Sequence, residues 1–247
     1  EEIPSYLTII VLFNIGQYYL LSQTDDAMAK QCFMRALFLT QQHQRQAPSP
    51  PLLLVTILHN IGYLHYRNSE LEKALHTYNE AYQQLQQQQH STTKDLELAT
   101  TLNCMGVIYF HLPKSDTARA MECYTKSLEL RQETKLQCCV KEHHQQVATT
   151  LNNIGRVHYI KGEYDAALSK YLEALRIRRT ILGKDHLDVA ATVYNAGQTF
   201  HQQGELGKAL KYYQEFMRIT VPKLGQNHRD VAIMLKCMAQ IYHERRD

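Results

Sequence analysis

The sequence predicts an all-α solenoid of antiparallel helix pairs stacked one after another. Two residue patterns recur along the chain at a nearly constant spacing. In the first pattern a small residue follows a leucine or valine by four positions, and this small residue occurs at Gly16, Gly62, Gly106, Gly155, Gly197 and Ala239. The last two intervals are 42 residues each. Such self-similarity indicates stacked supersecondary units rather than one closed core.

The first pattern has the spacing of an amphipathic helix, which we name helix A. Leu151, Ile154, Gly155 and His158 lie at i, i+3, i+4 and i+7, and therefore on one stripe. A glycine inside a helix costs about 1 kcal/mol relative to alanine. Its recurrence at one position of helix A therefore predicts a close approach of the neighbouring helix.

The second pattern follows each small residue by twelve to fourteen positions and predicts a helix B that packs back onto helix A. It consists of an alanine, an aromatic residue four positions later and, in most repeats, a small residue three positions after that. The aromatic residues are Phe33, Tyr78, Tyr124, Tyr171 and Tyr213.

Glycines mark the ends of the predicted helices. Gly162 and Gly204 are expected in the turns between A and B. Between successive pairs we expect C-caps at Gly183 and Gly225 and N-caps at Asp185 and Asn227. Five pairs and a final helix that acts as a cap follow from this pattern.

These motifs resemble the tetratricopeptide repeat, in the 42-residue form of the kinesin light chains and nephrocystin-type proteins. The likeness rests on the segments 151–155, 162–175 and 182–190. Cys104 and Cys237 stand where the family has asparagine, and Ser127 and Phe216 where it has alanine. The resemblance implies a right-handed superhelix over residues 1–247, with repeats at about 5–45, 50–90, 94–135, 143–183 and 185–225 and a last helix at 227–245.

In this repeat class the helices A line the concave side, so their exposed positions form the candidate binding groove. Two positions before the small residue stand Asn14, Asn60, Asn153 and Asn195. A row of side-chain amides offers donors and acceptors to the backbone of an extended peptide. The alternative is that these amides tie helix A to the neighbouring repeat, and the sequence leaves both roles open.

Neighbouring positions complete the predicted groove with polar and aromatic side chains. They are Tyr63, Arg67, Asn103, Asn152, Arg156, Tyr159, Gln198 and His201. Tyrosine and arginine are enriched at recognition surfaces. Because Arg67 and Arg156 have no obvious acidic neighbour in the groove, we expect a ligand with an apolar anchor and an acidic residue near Arg156.

The first helix is apolar on nearly every side, which raises three interpretations. The stretch Tyr6–Leu21 is shorter than the roughly 20 apolar residues that span a bilayer, so membrane insertion is not expected. Either a further repeat covers this helix, or the chain self-associates through it, with Ile10 and Phe13 as the candidate contacts.

Charge and cysteine usage limit the remaining options. The net charge of +3 shows no long basic run, so no nucleic-acid binding is expected. The six cysteines are scattered through predicted helices, which is typical of a reducing, cytoplasmic compartment. Cys138-Cys139 and His143-His144 lack the spacing of a zinc site and predict an exposed polar loop, so no metal or cofactor is expected.

The sequence contains no catalytic motif, so we expect a protein that is not an enzyme. The favoured function is a protein-interaction module, of adaptor or cargo-recognition type, that binds an extended peptide segment of a partner in its groove. The alternative is a structural scaffold subunit that assembles through its convex faces and its apolar first helix.

Overall fold

The computed structural model describes residues 6–44, 51–134 and 141–244, and every element in these ranges is helical. The helices are α1 (Tyr6–Ser22), α2 (Asp26–Gln44), α3 (Pro51–Arg67), α4 (Leu71–Gln86), α5 (Thr92–His111), α6 (Thr117–Glu133), α7 (Lys141–Ile160), α8 (Tyr164–Leu182), α9 (Leu187–Gln202), α10 (Leu206–Leu224) and α11 (Arg229–Glu244). Within these ranges the eleven helices match the predicted five pairs and final helix, and the all-α class is confirmed.

The chain divides into two compact units, residues 1–130 and 131–247. The first unit contains α1 to α5 and most of α6, and the second contains α7 to α11. A single continuous solenoid over residues 1–247 stays a prediction. Among the described residues, no helix is long and apolar enough to cross a membrane.

In each pair, the aromatic ring of helix B lies directly on the glycine of helix A. A Cβ atom added to Gly155 would stand 2.6 Å from Cε1 of Tyr171, and one added to Gly62 would stand 2.8 Å from Cζ of Tyr78. Real Cβ atoms do not approach another carbon so closely, so glycine is required there. The predicted close approach is confirmed, and the group that approaches is the ring.

Successive pairs pack through helix B of one pair and helix A of the next. In unit 1, Phe33 of α2 shares an apolar cluster with Ile61 and Leu64 of α3. In unit 2, Tyr171 of α8 shares one with Ala196 of α9. Each helix A after the first in its unit is therefore covered on two sides, by its own helix B and by the preceding one.

Left-handed backbone ends helix A in four of the repeats. Gly162 and Gly204 both have φ of +76° in the A–B turns, as predicted. The same turn position holds Ser69 in the second repeat, with φ of 60°, and Gln23 in the first, with φ of 53°. Gly183 and Gly225 form the predicted C-caps of α8 and α10.

The predicted N-cap positions are wrong by one residue. The N-cap of α9 is His186, whose Nδ1 accepts a hydrogen bond of 3.1 Å from the Asp188 N–H. His228 Nδ1 likewise accepts from the Asp230 N–H at the start of α11. Asp185 instead forms an ion pair with Arg218. An imidazole nitrogen here performs the capping role that the sequence analysis gave to Asp185 and Asn227.

The buried side chain of Arg178 connects three helices of unit 2 through hydrogen bonds. From α8, its Nη1 donates to the Asp188 carbonyl (2.9 Å) and the Thr192 hydroxyl (2.6 Å) of α9. Its Nη2 donates to the Thr149 hydroxyl of α7 at 3.2 Å. Burial lowers the pKa of Arg178, and the nearby Asp188 opposes that shift. These bonds satisfy most of the N–H donors of the buried guanidinium and hold the three helices together.

Candidate functional site

A cavity of unit 2 lies where two successive helices A face a helix B. Its volume is about 670 Å³, within the range typical of ligand sites. α7 contributes Asn152 and Arg156, and α10 contributes Phe216, Thr220 and Leu224. α9 and the α11 region supply the remaining lining residues, which are Leu187, Ala190, Ala191, Tyr194, Asn195, His228, Asp230 and Ile233.

The polar part of the lining is built on α7 and α9. The Asn195 amide nitrogen donates to the Asn152 side-chain oxygen over 3.0 Å, which joins the two helices across the cavity wall. Arg156 follows Asn152 by one helical turn, so both residues lie on the same face of α7. This bond leaves part of each amide's hydrogen-bonding capacity unused.

The apolar part is formed by two aromatic rings and several aliphatic side chains. The Tyr194 and Phe216 ring centroids are 5.8 Å apart. Gln198 donates to the Tyr194 hydroxyl over 2.7 Å, which fixes the phenol at the wall. Burial raises the pKa of Tyr194, so its hydroxyl stays protonated at neutral pH. An apolar side chain of a ligand would therefore meet a preformed apolar surface beside fixed polar groups.

The cavity brings together three of the twelve predicted groove residues, Asn152, Arg156 and Asn195. The other predicted residues of unit 2 lie outside its lining. Tyr159 packs its ring against Tyr164. His201 forms a 3.1 Å contact with Glu244 of α11.

The asparagine row is not uniformly exposed, which corrects the simplest form of the prediction. Asn153 is buried between helices and already engaged. Asn60 donates to the carbonyl of Thr56 in its own helix. Asn14 is exposed. Its burial favours the structural role at Asn153, and a ligand role is open at Asn152, one position earlier.

In unit 1, Arg67 has the acidic neighbour that the sequence analysis did not find. Its Nη1 lies 3.1 Å from Asp26 of α2, and its guanidinium lies over the ring of Tyr63. The prediction that Arg67 is a positive point without a carboxylate is wrong. Tyr63 is exposed, and Asn103 is half-buried and engaged.

Sequence reasoning missed the α10 side of the cavity because it considered helices A alone. One signal was present. Phe216 stands where the repeat pattern has alanine, and this larger ring now forms part of the cavity wall. Thr220 and Leu224 follow it at i+4 and i+8 on the same face of α10.

The predicted polar loop around residues 138–144 is also corrected in part. His143 and His144 lie in α7, and His143 is buried. Cys138 and Cys139 lie outside the described residues. Within the described ranges, no group of three histidine, cysteine or acidic side chains could hold a metal ion.

Residues 146–220 match the family model of the tetratricopeptide repeat. No curated protein matches the chain. Several solved structures match it. BtubC (BKLC) from P. vanneervenii is 24% identical, with a TM-score of 0.67 over 90% of this chain and 82% of that one.

Two further solved structures show the same fold at lower identity. A putative kinesin light chain from Podosopora anserina with nearly identical TPR-like repeats is 10% identical, with a TM-score of 0.62 over 87% of this chain and 96% of that one. The Rap conjugation gene regulator of the plasmid pLS20, in complex with the Phr* peptide, is 14% identical, with a TM-score of 0.65 over 96% of this chain and 63% of that one.

Proposed function

We propose that this chain, whose residues 146–220 match the tetratricopeptide repeat, is an adaptor module that binds an extended peptide segment of a partner protein. The observation that carries this proposal is the cavity of unit 2, which combines the amides of Asn152 and Asn195 with an apolar wall at Tyr194 and Phe216. Its shape and lining suit a side chain anchored from a linear segment.

The chemistry of the lining defines the expected ligand. Asn152 and Asn195 offer amide groups to a peptide backbone, which needs partners whatever its sequence. The aromatic pair and Leu224 offer contact to an aliphatic or aromatic anchor. Arg156 favours an acidic ligand residue on the α7 side, and Asp230 disfavours one on the α11 side. The ligand should therefore have a defined direction in the cavity.

A solved structure of similar fold supports this assignment. The Rap regulator of plasmid pLS20 was solved with the Phr* peptide bound. A fold of this kind can therefore accommodate a peptide. The choice of residues in the present chain rests on its own cavity.

The test is peptide selection from a displayed library of random linear peptides, followed by binding measurements on cavity variants. Ala191 is exposed at the cavity wall, so Ala191→Arg should fill the cavity without disturbing the core. We expect this change to weaken selected peptides at least about tenfold, because it removes the desolvated anchor site. Acidic peptides should bind the Arg156→Glu variant more weakly than they bind the unmodified chain.

The matched control is Ala232→Arg, an exposed alanine near the start of α11 that does not line the cavity. It should leave peptide affinity unchanged. If the library yields no binder, or if Ala191→Arg binds every selected peptide as well as the unmodified chain does, the proposal is wrong.

A further inference from the structure

A second cavity of unit 2 is formed by the last turn of α6, the first two turns of α7 and the C-terminal half of α8. Its volume is about 270 Å³, just below the range usual for drug-sized ligands, so it suits a smaller molecule. Among the described residues, none lines both this cavity and the proposed peptide cavity. We name it the cationic cavity, because its lining includes Arg131, His143, His144 and Arg176.

Three of these four side chains form a wall that is already held in place. Arg131 and His143 are only 2% and 5% exposed, and both are engaged within the protein. The His143 and His144 ring centroids are 5.8 Å apart, with the ring planes nearly perpendicular. Side chains that are ordered before a ligand arrives lower the cost of binding it. The cationic cavity is therefore preformed on this side.

Arg176 provides a guanidinium that is available to a ligand. The two other arginines near it on α8 have partners, since Arg178 donates to Thr192 and Arg179 pairs with Glu215. Arg176 is exposed, and its guanidinium forms no ion pair with the residues that the structure describes. Its positive charge at the edge of the cavity therefore favours an anion.

The rest of the lining is consistent with an anion that carries an apolar group. Glu173 is the one carboxylate among the described lining residues, and it lies 3.8 Å from the Lys170 amine. Two arginines against one glutamate give the lining a net positive charge even with both imidazoles neutral. Ile177 and Ile181 of α8 supply apolar contact beside the charged groups.

We infer that the cationic cavity binds the phosphate group of a small phosphate monoester. The planar guanidinium matches phosphate oxygens with paired hydrogen bonds. A phosphate monoester has three terminal oxygens, one more than a carboxylate, and so makes fuller use of the guanidinium and imidazole donors. The isoleucines would contact the organic part of the ligand. A metal cation is disfavoured by the arginines.

The test is calorimetric titration of the 247-residue chain with phenyl phosphate, inorganic phosphate and benzoate at constant ionic strength. Phenyl phosphate should bind saturably with one site per chain. It should bind at least about threefold more tightly than inorganic phosphate, because its ring gains apolar contact with the isoleucines. Benzoate should bind at least about tenfold more weakly than phenyl phosphate, since it lacks the third oxygen and the second negative charge.

Three variants distinguish a built site from general attraction between a basic chain and an anion. Arg176→Gln should weaken phenyl phosphate at least about tenfold, because a charge-assisted hydrogen bond is lost. Glu173→Gln should tighten it about twofold, because a like charge at a partly exposed position is removed. Arg35→Gln is the matched control, since it removes the same charge from an exposed position of α2 and should leave the affinity unchanged.

A fourth variant separates this inference from the proposed peptide site. Ala191→Arg fills the peptide cavity and should leave phenyl phosphate binding unchanged. Circular dichroism should show native helicity in every variant. The inference is wrong if phenyl phosphate does not bind saturably, if Arg176→Gln binds it as tightly as the unmodified chain, or if Arg35→Gln or Ala191→Arg weakens it as much as Arg176→Gln does.

Discussion

Single residues in the A–B turns differ in how well they suit the backbone they occupy. Ser69 adopts φ of 60°, whereas the same turn position in the fourth and fifth repeats holds Gly162 and Gly204. A residue with a Cβ atom loses about 1 kcal/mol or more in this conformation. Serine is therefore a less favourable residue than glycine at this turn position.

We predict that Ser69→Gly raises the free energy of unfolding by about 0.5–1 kcal/mol, because it relieves the left-handed strain. Two controls separate strain from a general effect of glycine. Ser169→Gly, within α8, should lower the stability by a similar amount through helix propensity. Gly162→Ala should lower it as well, because Gly162 has φ of +76°. Urea unfolding of the three variants provides the measurement.

His59 of α3 makes the stability depend on pH. Its Nε2 lies 2.7 Å from the Thr101 hydroxyl of α5, its Nδ1 lies 3.6 Å from Glu97, and its ring packs near Tyr78. Burial lowers the pKa of His59 to about 4. The folded state therefore keeps this imidazole neutral at pH values where the unfolded chain protonates it.

We predict that unfolding becomes easier as the pH falls through this range. The unfolded chain binds the proton near pH 6.5, and the folded chain binds it only near pH 4, so the contribution of His59 is complete above about pH 6.5 and lost by about pH 4. One group shifted this far contributes up to about 3 kcal/mol. The difference in unfolding free energy between the unmodified chain and His59→Gln should change over this interval. A constant difference would contradict the assignment.

At the scale of helices, one pairing rule explains why the repeat pattern is visible in the sequence. The ring of helix B occupies the space that the missing side chain of the helix A glycine leaves free, so the two residues are needed together. This is why their spacing predicted the helix pairs and the turn glycines. Gly207 is different: it lies in α10, and a Cβ atom added there meets nothing within 4 Å.

The candidate site was less predictable than the fold because it depends on contacts between repeats. Asn152, Arg156 and Asn195 could be named from their positions on helix A. The burial of Asn153 could not be predicted in this way, since adjacent positions on one helix differ only in which neighbouring helix they face. The ion pair of Arg67 joins two repeats, and no pattern within one repeat predicts it. The same holds for Arg178, whose partners lie on α7 and α9.

At the scale of the whole molecule, each repeat of an array contacts only its neighbours, so a change in one repeat affects the stability of that repeat and of the adjacent ones most. In unit 2, the pair α7–α8 continues into α9 through Tyr171 and Ala196. A defect placed in this pair should therefore loosen α7, α8 and α9 more than α11. Amide hydrogen exchange resolves such differences along the chain.

We predict that Gly155→Ala destabilises the chain by about 1–3 kcal/mol, because the new methyl group overlaps the Tyr171 ring and outweighs the gain in helix propensity of about 1 kcal/mol. Exchange should accelerate in α7 to α9 first. Gly207→Ala is the matched control, and there the propensity gain should appear as a net stabilisation because the site is open. Equal effects of both changes, or faster exchange spread evenly over residues 141–244, would contradict this account of how the repeats hold together.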